Sequence, residues 1–153
     1  MMTQIEKIKY LKLVNYLEKN QEEWAYEDIT LNQEFELHWQ SSSEKVTQKH
    51  KTNANKARKG DLILLFQNHK RFGHRMTHIV EIANNKEAEY REYNQGKYIR
   101  IVKALWISDK GYNNAPETQK VVGEFKFRDG FLISINARTV ELNYKLLNQL
   151  MNN

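Results

Sequence analysis

Five consecutive apolar residues, Leu62-Ile63-Leu64-Leu65-Phe66, follow directly on the turn signal Lys59-Gly60-Asp61. Successive side chains of an extended chain point to opposite faces, so a run without a polar member has two apolar faces and needs cover on both. It reads as a central strand, and the rest of the chain must supply its neighbours. Met76 to Ala83 gives a second strand, and Tyr98 to Ile107 a long third one in which Ile99, Ile101, Leu105 and Ile107 oppose Val102, Ala104 and Trp106. From Phe35 to Gln40, Phe35, Leu37 and Trp39 alternate with Glu36, His38 and Gln40, the pattern of a half-buried strand. Val121 to Phe127 and Phe131 to Ile135 flank Arg128-Asp129-Gly130, where Asp-Gly suits a tight hairpin turn.

Helical spacing frames these strands. Thr3 and Glu6 form a capping-box start, and Ile5, Ile8, Leu11, Val14 and Leu17 recur along one face, which predicts an N-terminal helix over residues 3–20. Glu44 to Lys59 is a polar helix or an ordered loop, and Leu142, Leu146, Leu147 and Leu150 predict a closing helix. A chain of 153 residues fits one domain, 1–153. The expected class is α+β, a small mixed or closed β-barrel with flanking helices.

No cysteine occurs, so neither disulfides nor thiolate metal sites hold the fold, and the default compartment is the cytoplasm. Charged residues interrupt the amino terminus, unlike a signal peptide, and no stretch has the roughly 20 apolar residues of a membrane span. His69, His74 and His78 lie close together, but no acidic residue stands among them, so neither a metal nor another cofactor is expected. There is no Gly-rich phosphate loop, no Gly-x-Ser-x-Gly elbow and no His-Glu-x-x-His string, so no catalytic residue is named from motifs.

The net charge of +5 suits a polyanionic partner, and its distribution is more telling. Between Lys45 and Gly60 there is no acidic residue, while Lys45, Lys49, Lys51, Lys56, Arg58 and Lys59 accumulate. Lys70, Arg71 and Arg75 add a second cluster in the turn between two strands. Such runs attract phosphates whatever the sequence of the strand. If a barrel brings the two stretches together, they form one groove wall for RNA or DNA; otherwise they are solvated charged surface. A base also needs a flat apolar ring to stack on. Trp39 stands at a strand end beside Ser41, Ser42 and the basic segment, and Asn68 adds a polar group; an indole on a half-buried strand is equally a core residue.

Local strings support the same expectation. His38-Trp39, then Ala54 and Ala57, then Lys59-Gly60-Asp61-Leu62-Ile63-Leu64-Leu65-Phe66 resemble the PUA-like superfamily in its EVE and YTH branches. Thr77 to Ile82, Val102 to Ile107 and the leucine-rich Asn143 to Met151 are similar to later elements of those families. The resemblance implies a nucleic-acid-binding domain that reads a modified, methylated base, with Trp39 as its pocket tryptophan and Tyr90 and Tyr93 in the place of a second cage aromatic. The related ASCH domains carry a Gly-x-Lys-x-x-Glu-x-Arg string, which Asn84 to Arg91 imitates with asparagine for glycine, though after the Gly-Asp strand rather than before it. That likeness implies hydrolysis of a modified nucleoside as an alternative, with Lys86 as the residue to test. A small-ligand or protein-interaction module of the same fold is the third reading.

Overall fold

The computed structural model describes residues 4–14, 23–39, 48–92, 96–109, 112–124, 132–135 and 140–152. Its centre is one mixed sheet of seven strands: β1 (Ile8–Leu13), β2 (Glu34–Trp39), β3 (Leu62–His69), β4 (Gly73–Ile82), β5 (Glu89–Arg91), β6 (Lys97–Ile107) and β7 (Leu132–Ser134). The order is β2-β6-β4-β3-β1-β7, with β5 on β6, and only β1 with β3 is parallel. Among the described residues three helices complete it: α1 (Gln48–Ala54), α2 (Thr118–Val122) and α3 (Tyr144–Met151). The architecture is mixed α+β.

The apolar run of β3 lies between β1 and β4 with cover on both faces. Ile63 and Leu65 enter one core with Phe35, Leu37, Trp39, Val80, Val102 and the α1 alanine Ala54. Leu62, Leu64 and Phe66 enter the other, closed by Val121 and Val122 of α2 and Leu147 of α3. The first core is the inside of a strongly curled sheet. The Lys12 ammonium on β1 lies 4.9 Å from the ring centroid of Trp39 on β2, although three strands separate these two in the sheet. Register shifts at Lys9, Thr77 and Leu105 mark bulges, which increase local twist and help the sheet curl.

The bulge at Lys9 corrects the first expectation. Residues 5–7 form a 3-10 turn and Ile8–Leu13 is a strand, so the N-terminal helix over 3–20 is not formed across its described part. Ile8 pairs with Leu62 but Tyr10 with Ile63, so the extra residue puts Ile8 and Leu11 on the same face. Three-residue spacing, the mark of a helix, arises here from a bulged strand.

The hairpin expectation also changes. Val121 and Val122, placed in a strand by their β-branching, close α2, which buries both and ends at Gly123 with φ 72°. Tertiary burial outweighs their β propensity. The Arg128-Asp129-Gly130 turn lies outside the described residues. α3 begins where expected, its N-terminus capped by the Asn143 side chain, which accepts from the Leu146 N–H at 3.0 Å. Among the described residues no helix is long and apolar enough to cross a membrane.

Candidate functional site

The expected pocket tryptophan is sealed. Trp39 is 0% exposed, packed in the inner core with Lys12 over its ring, and its indole Nε1 has no hydrogen-bond partner among the described residues. Its inward alternation on β2 puts it there, and a buried ring offers no face to a base. Tyr90, 46% exposed, is on β5 rather than in a loop, edge-on to Tyr98 at 5.3 Å. Ser41, Ser42 and Tyr93 lie outside the described residues.

The cations divide into two groups. Lys49 is exposed on α1, and Arg58 and Lys59 are exposed in the turn before β3. Lys51 forms an ion pair with Glu87 at 3.4 Å, and Lys56 donates to the Leu132 carbonyl at 3.5 Å. Lys45 lies outside the described residues. Lys70 and Arg71 are exposed just beyond the other end of β3. From Leu62 to Lys70 the chain runs extended, at about 3.3 Å per residue, so roughly 25 Å separates the two groups. The two groups are therefore not adjacent. Arg75 is also diverted, because its guanidinium donates to the Phe72 carbonyl at 2.8 Å and the Ala115 carbonyl at 2.6 Å. Asn68 is exposed near the same end of β3.

The ASCH-like string lines a cleft of about 490 Å³ with Glu36 and Arg100. Its carboxylates are engaged: Glu87 with Lys51, and Glu89 with Arg91, which also binds Glu36 at 2.7 Å. The hydrogen bond from Arg91 holds the Glu36 carboxyl below its usual range. Buried Arg100 donates to the carbonyls of Ala54, Ala57 and Asn84 at 2.7, 3.0 and 3.0 Å, which fixes the end of α1. These are structural duties.

A different cleft, of about 690 Å³, opens beside the β3–β4 turn. Its walls come from two segments: Glu23, Trp24 and Glu27 from one, and His69, Lys70, Arg71 and Phe72 from the other, with Asn113 at the side. The segments are joined by the buried Gln67 amide, which accepts from the Ala25 N–H at 2.7 Å and donates to the Ala25 carbonyl at 3.0 Å and the Thr77 hydroxyl at 2.8 Å. Behind it, Tyr112 Oη and His78 Nε2 stand 3.2 Å apart, each within 3.3 Å of the Tyr26 carbonyl. Thr77 Oγ1 is 2.8 Å from His78 Nδ1. Burial lowers the His78 pKa to about 4, so the ring is neutral at neutral pH, and burial, with the field of Glu27 and Asp28, raises that of Tyr112 to about 12. Tyr26 and Tyr112 adopt φ of 58° and 52°, a left-handed backbone that costs side-chain-bearing residues energy and that this network holds in place.

His69 Nδ1 accepts from the backbone N–H of Arg71 at 3.0 Å and of Phe72 at 3.3 Å, which tightens the turn and leaves the proton on Nε2. Its ring centroid is 4.4 Å from Trp24 and 4.9 Å from Phe72. Trp24 and Phe72 are nearly parallel, at 19° and 6.3 Å. A base between them would need about 7 Å, twice the contact distance of carbon atoms, so the rings form no slot; Trp24 is 6% exposed, packed with Tyr112 and Ala115, and Phe72 is the half-buried ring of the pair. Arg71 lies 5.2 Å from the Phe72 centroid. Sequence reading placed Lys70 and Arg71, weighed His69 only as a metal ligand and assigned no binding role to Trp24 or Phe72; the signal was an aromatic residue directly after two cations in a three-residue turn. Comparison with protein-family models, with curated proteins and with solved structures finds no match for this chain.

Proposed function

We propose that this protein is a nucleic-acid-binding domain on a PUA-like small-barrel scaffold, taking one unpaired base of RNA or DNA against the half-buried Phe72 ring, which the buried Trp24 backs, while Lys70 and Arg71 meet the flanking phosphates. The carrying observation is that two aromatic rings and two cations line one cleft of about 690 Å³. That volume is in the range of ligand sites, about 300–1,000 Å³. Stacking on such rings is worth about 1–3 kcal/mol per base and tolerates any sequence. The exposed Lys49, Arg58 and Lys59 at the far end of β3 add long-range attraction and a second phosphate contact for a longer strand. The PUA-like assignment draws support from the strongly curled mixed sheet and from the strings that resemble that superfamily.

The test is titration of labelled single strands, made as RNA and as DNA, over a range of salt. Affinity is expected to fall steeply with salt, and Lys70→Glu with Arg71→Glu to reduce the slope by about two. Phe72→Ala is expected to weaken binding about tenfold with the slope unchanged. Binding that ignores salt, or no binding, would overturn the reading in favour of a small-ligand or protein-interaction module. Strands with and without methylated adenine or cytosine test the modified-base reading, and equal affinities remove it.

A further inference from the structure

We infer that the open edge of β2 is a docking site for a basic, extended peptide, which adds to the sheet as a further strand. The site stands independently of the nucleic-acid reading above. The sheet order ends at β2, so among the described residues one side of this strand has no neighbouring strand. Ala104 of β6 accepts from the Asn32 N–H at 2.7 Å and donates to the Gln33 carbonyl at 3.0 Å, two residues against one, which makes a bulge at the entry to β2. Beyond it the pairing alternates, so Phe35, Leu37 and Trp39 turn their backbone groups to β6, while Glu34, Glu36 and His38 turn theirs outward. The His38 N–H is met at 3.1 Å by the Tyr26 hydroxyl, which agrees with that direction. Among the described residues the backbone N–H groups of Glu34 and Glu36 have no partner.

Charge selects what such an edge takes. Seven of the 19 carboxylates, and no lysine or arginine, fall between Asn20 and Lys45. Glu34 on the strand and Glu27 and Asp28 in the turn before it are exposed, and among the described residues none of them forms an ion pair, although Lys103 stands opposite Glu34 on β6. Glu36 is held by Arg91 at 2.7 Å. The Tyr26 ring, 5.0 Å from that of Phe35, keeps the turn beside the strand. Of the devices that guard an edge against pairing, β2 lacks proline and inward charge, its inward residues being Phe35, Leu37 and Trp39. Its carboxylates repel an acidic strand and draw a basic one. A second copy suits it poorly, since a two-fold pairing about Glu36 sets that carboxylate against itself. An extended chain with lysine or arginine at alternate positions meets the outward backbone groups and sets its cations beside Glu34 and the turn.

The experiment uses the full chain and a labelled octapeptide of alternating lysine and threonine, followed by anisotropy and by amide exchange in NMR. This peptide is expected to bind, and its glutamate–threonine counterpart not to bind. Bound peptide is expected to slow exchange of the Glu34 or Glu36 N–H about tenfold or more, with Phe35 and Leu37, already in the ladder, little changed. N-methylating every lysine amide in one peptide and every threonine amide in another leaves the charge intact. Only residues that face β2 donate to it, so one methylated peptide is expected to lose about tenfold or more in affinity while the other holds. Glu34→Lys, on an exposed side chain, is expected to weaken binding about threefold to tenfold. Equal affinities of the two methylated peptides overturn the edge pairing, because charge alone then holds the peptide. Unchanged exchange at both Glu34 and Glu36, or binding indifferent to Glu34→Lys, overturns the site. No binding of the lysine–threonine peptide, or a dimer of the free chain that protects the same amides, overturns the inference and leaves the nucleic-acid reading standing.

Discussion

Replacing Trp39 with phenylalanine separates a buried structural ring from a base-stacking one. Three terms set its effect on stability. The substitution removes an indole N–H that is buried with no partner, and such a donor costs about 1–3 kcal/mol. Against that gain, about 40 Å³ of ring is lost from a closed core, worth roughly 1 kcal/mol at about 24 cal/mol per Å³. The Lys12 ammonium, 4.9 Å from the ring centroid, also exchanges an indole for a weaker phenyl face, a loss of about 0.5–1 kcal/mol. The terms nearly cancel, so Trp39→Phe is expected within about 1 kcal/mol of the wild type, whereas Trp39→Ala loses about 3–5 kcal/mol. Urea unfolding followed by far-ultraviolet circular dichroism measures both, and Trp39→Phe should leave oligonucleotide affinity unchanged. Loss of more than about 3 kcal/mol on Trp39→Phe would refute the claim that the N–H lacks a partner. A tenfold loss of affinity at preserved stability would return the indole to the binding site.

Two further outcomes follow from the network behind the cleft. The His78 pKa is depressed to about 4 from an ordinary 6.5, so its contribution, of order 3 kcal/mol, is fully present above pH 6.5 and is lost as pH falls toward 4, where the unfolded chain takes up a proton that the folded one refuses. Titration of the His78 ring by NMR should show it neutral at pH 5, and a midpoint near 6.5 would refute the buried placement. Gln67→Leu keeps the size of the side chain but removes three hydrogen bonds, two of them to Ala25, and should cost about 2–4 kcal/mol. It should also weaken base-dependent binding while leaving the salt slope in place; unchanged binding would mean that Trp24 needs no such anchor.

What the sequence made legible is what period and composition record within one element. β3 could be placed in the centre because its five apolar residues leave no solvent face, and β2 because Phe35, Leu37 and Trp39 alternate cleanly. That alternation already pointed Trp39 inward; the expectation of a pocket came from its place beside Ser41, Ser42 and the basic segment and from the resemblance, and burial decides against it. β1 was hidden because one added residue, Lys9, converts a two-residue period into a three-residue one. The cleft was hidden for a different reason. Trp24 and Phe72 are 48 positions apart, and nothing in either segment announces the other. Gln67 brings them together, yet in the sequence it is only one more polar residue at the end of an apolar strand. Charge misled by the same route: Arg58-Lys59 and Lys70-Arg71 are near neighbours in the chain, but the strand between them is extended and eight residues long, so the fold holds apart what the sequence set close. Wherever two candidate patches flank an unambiguous strand, the residue count of that strand times the rise per residue bounds their separation, and the bound by itself counts against one short groove joining them.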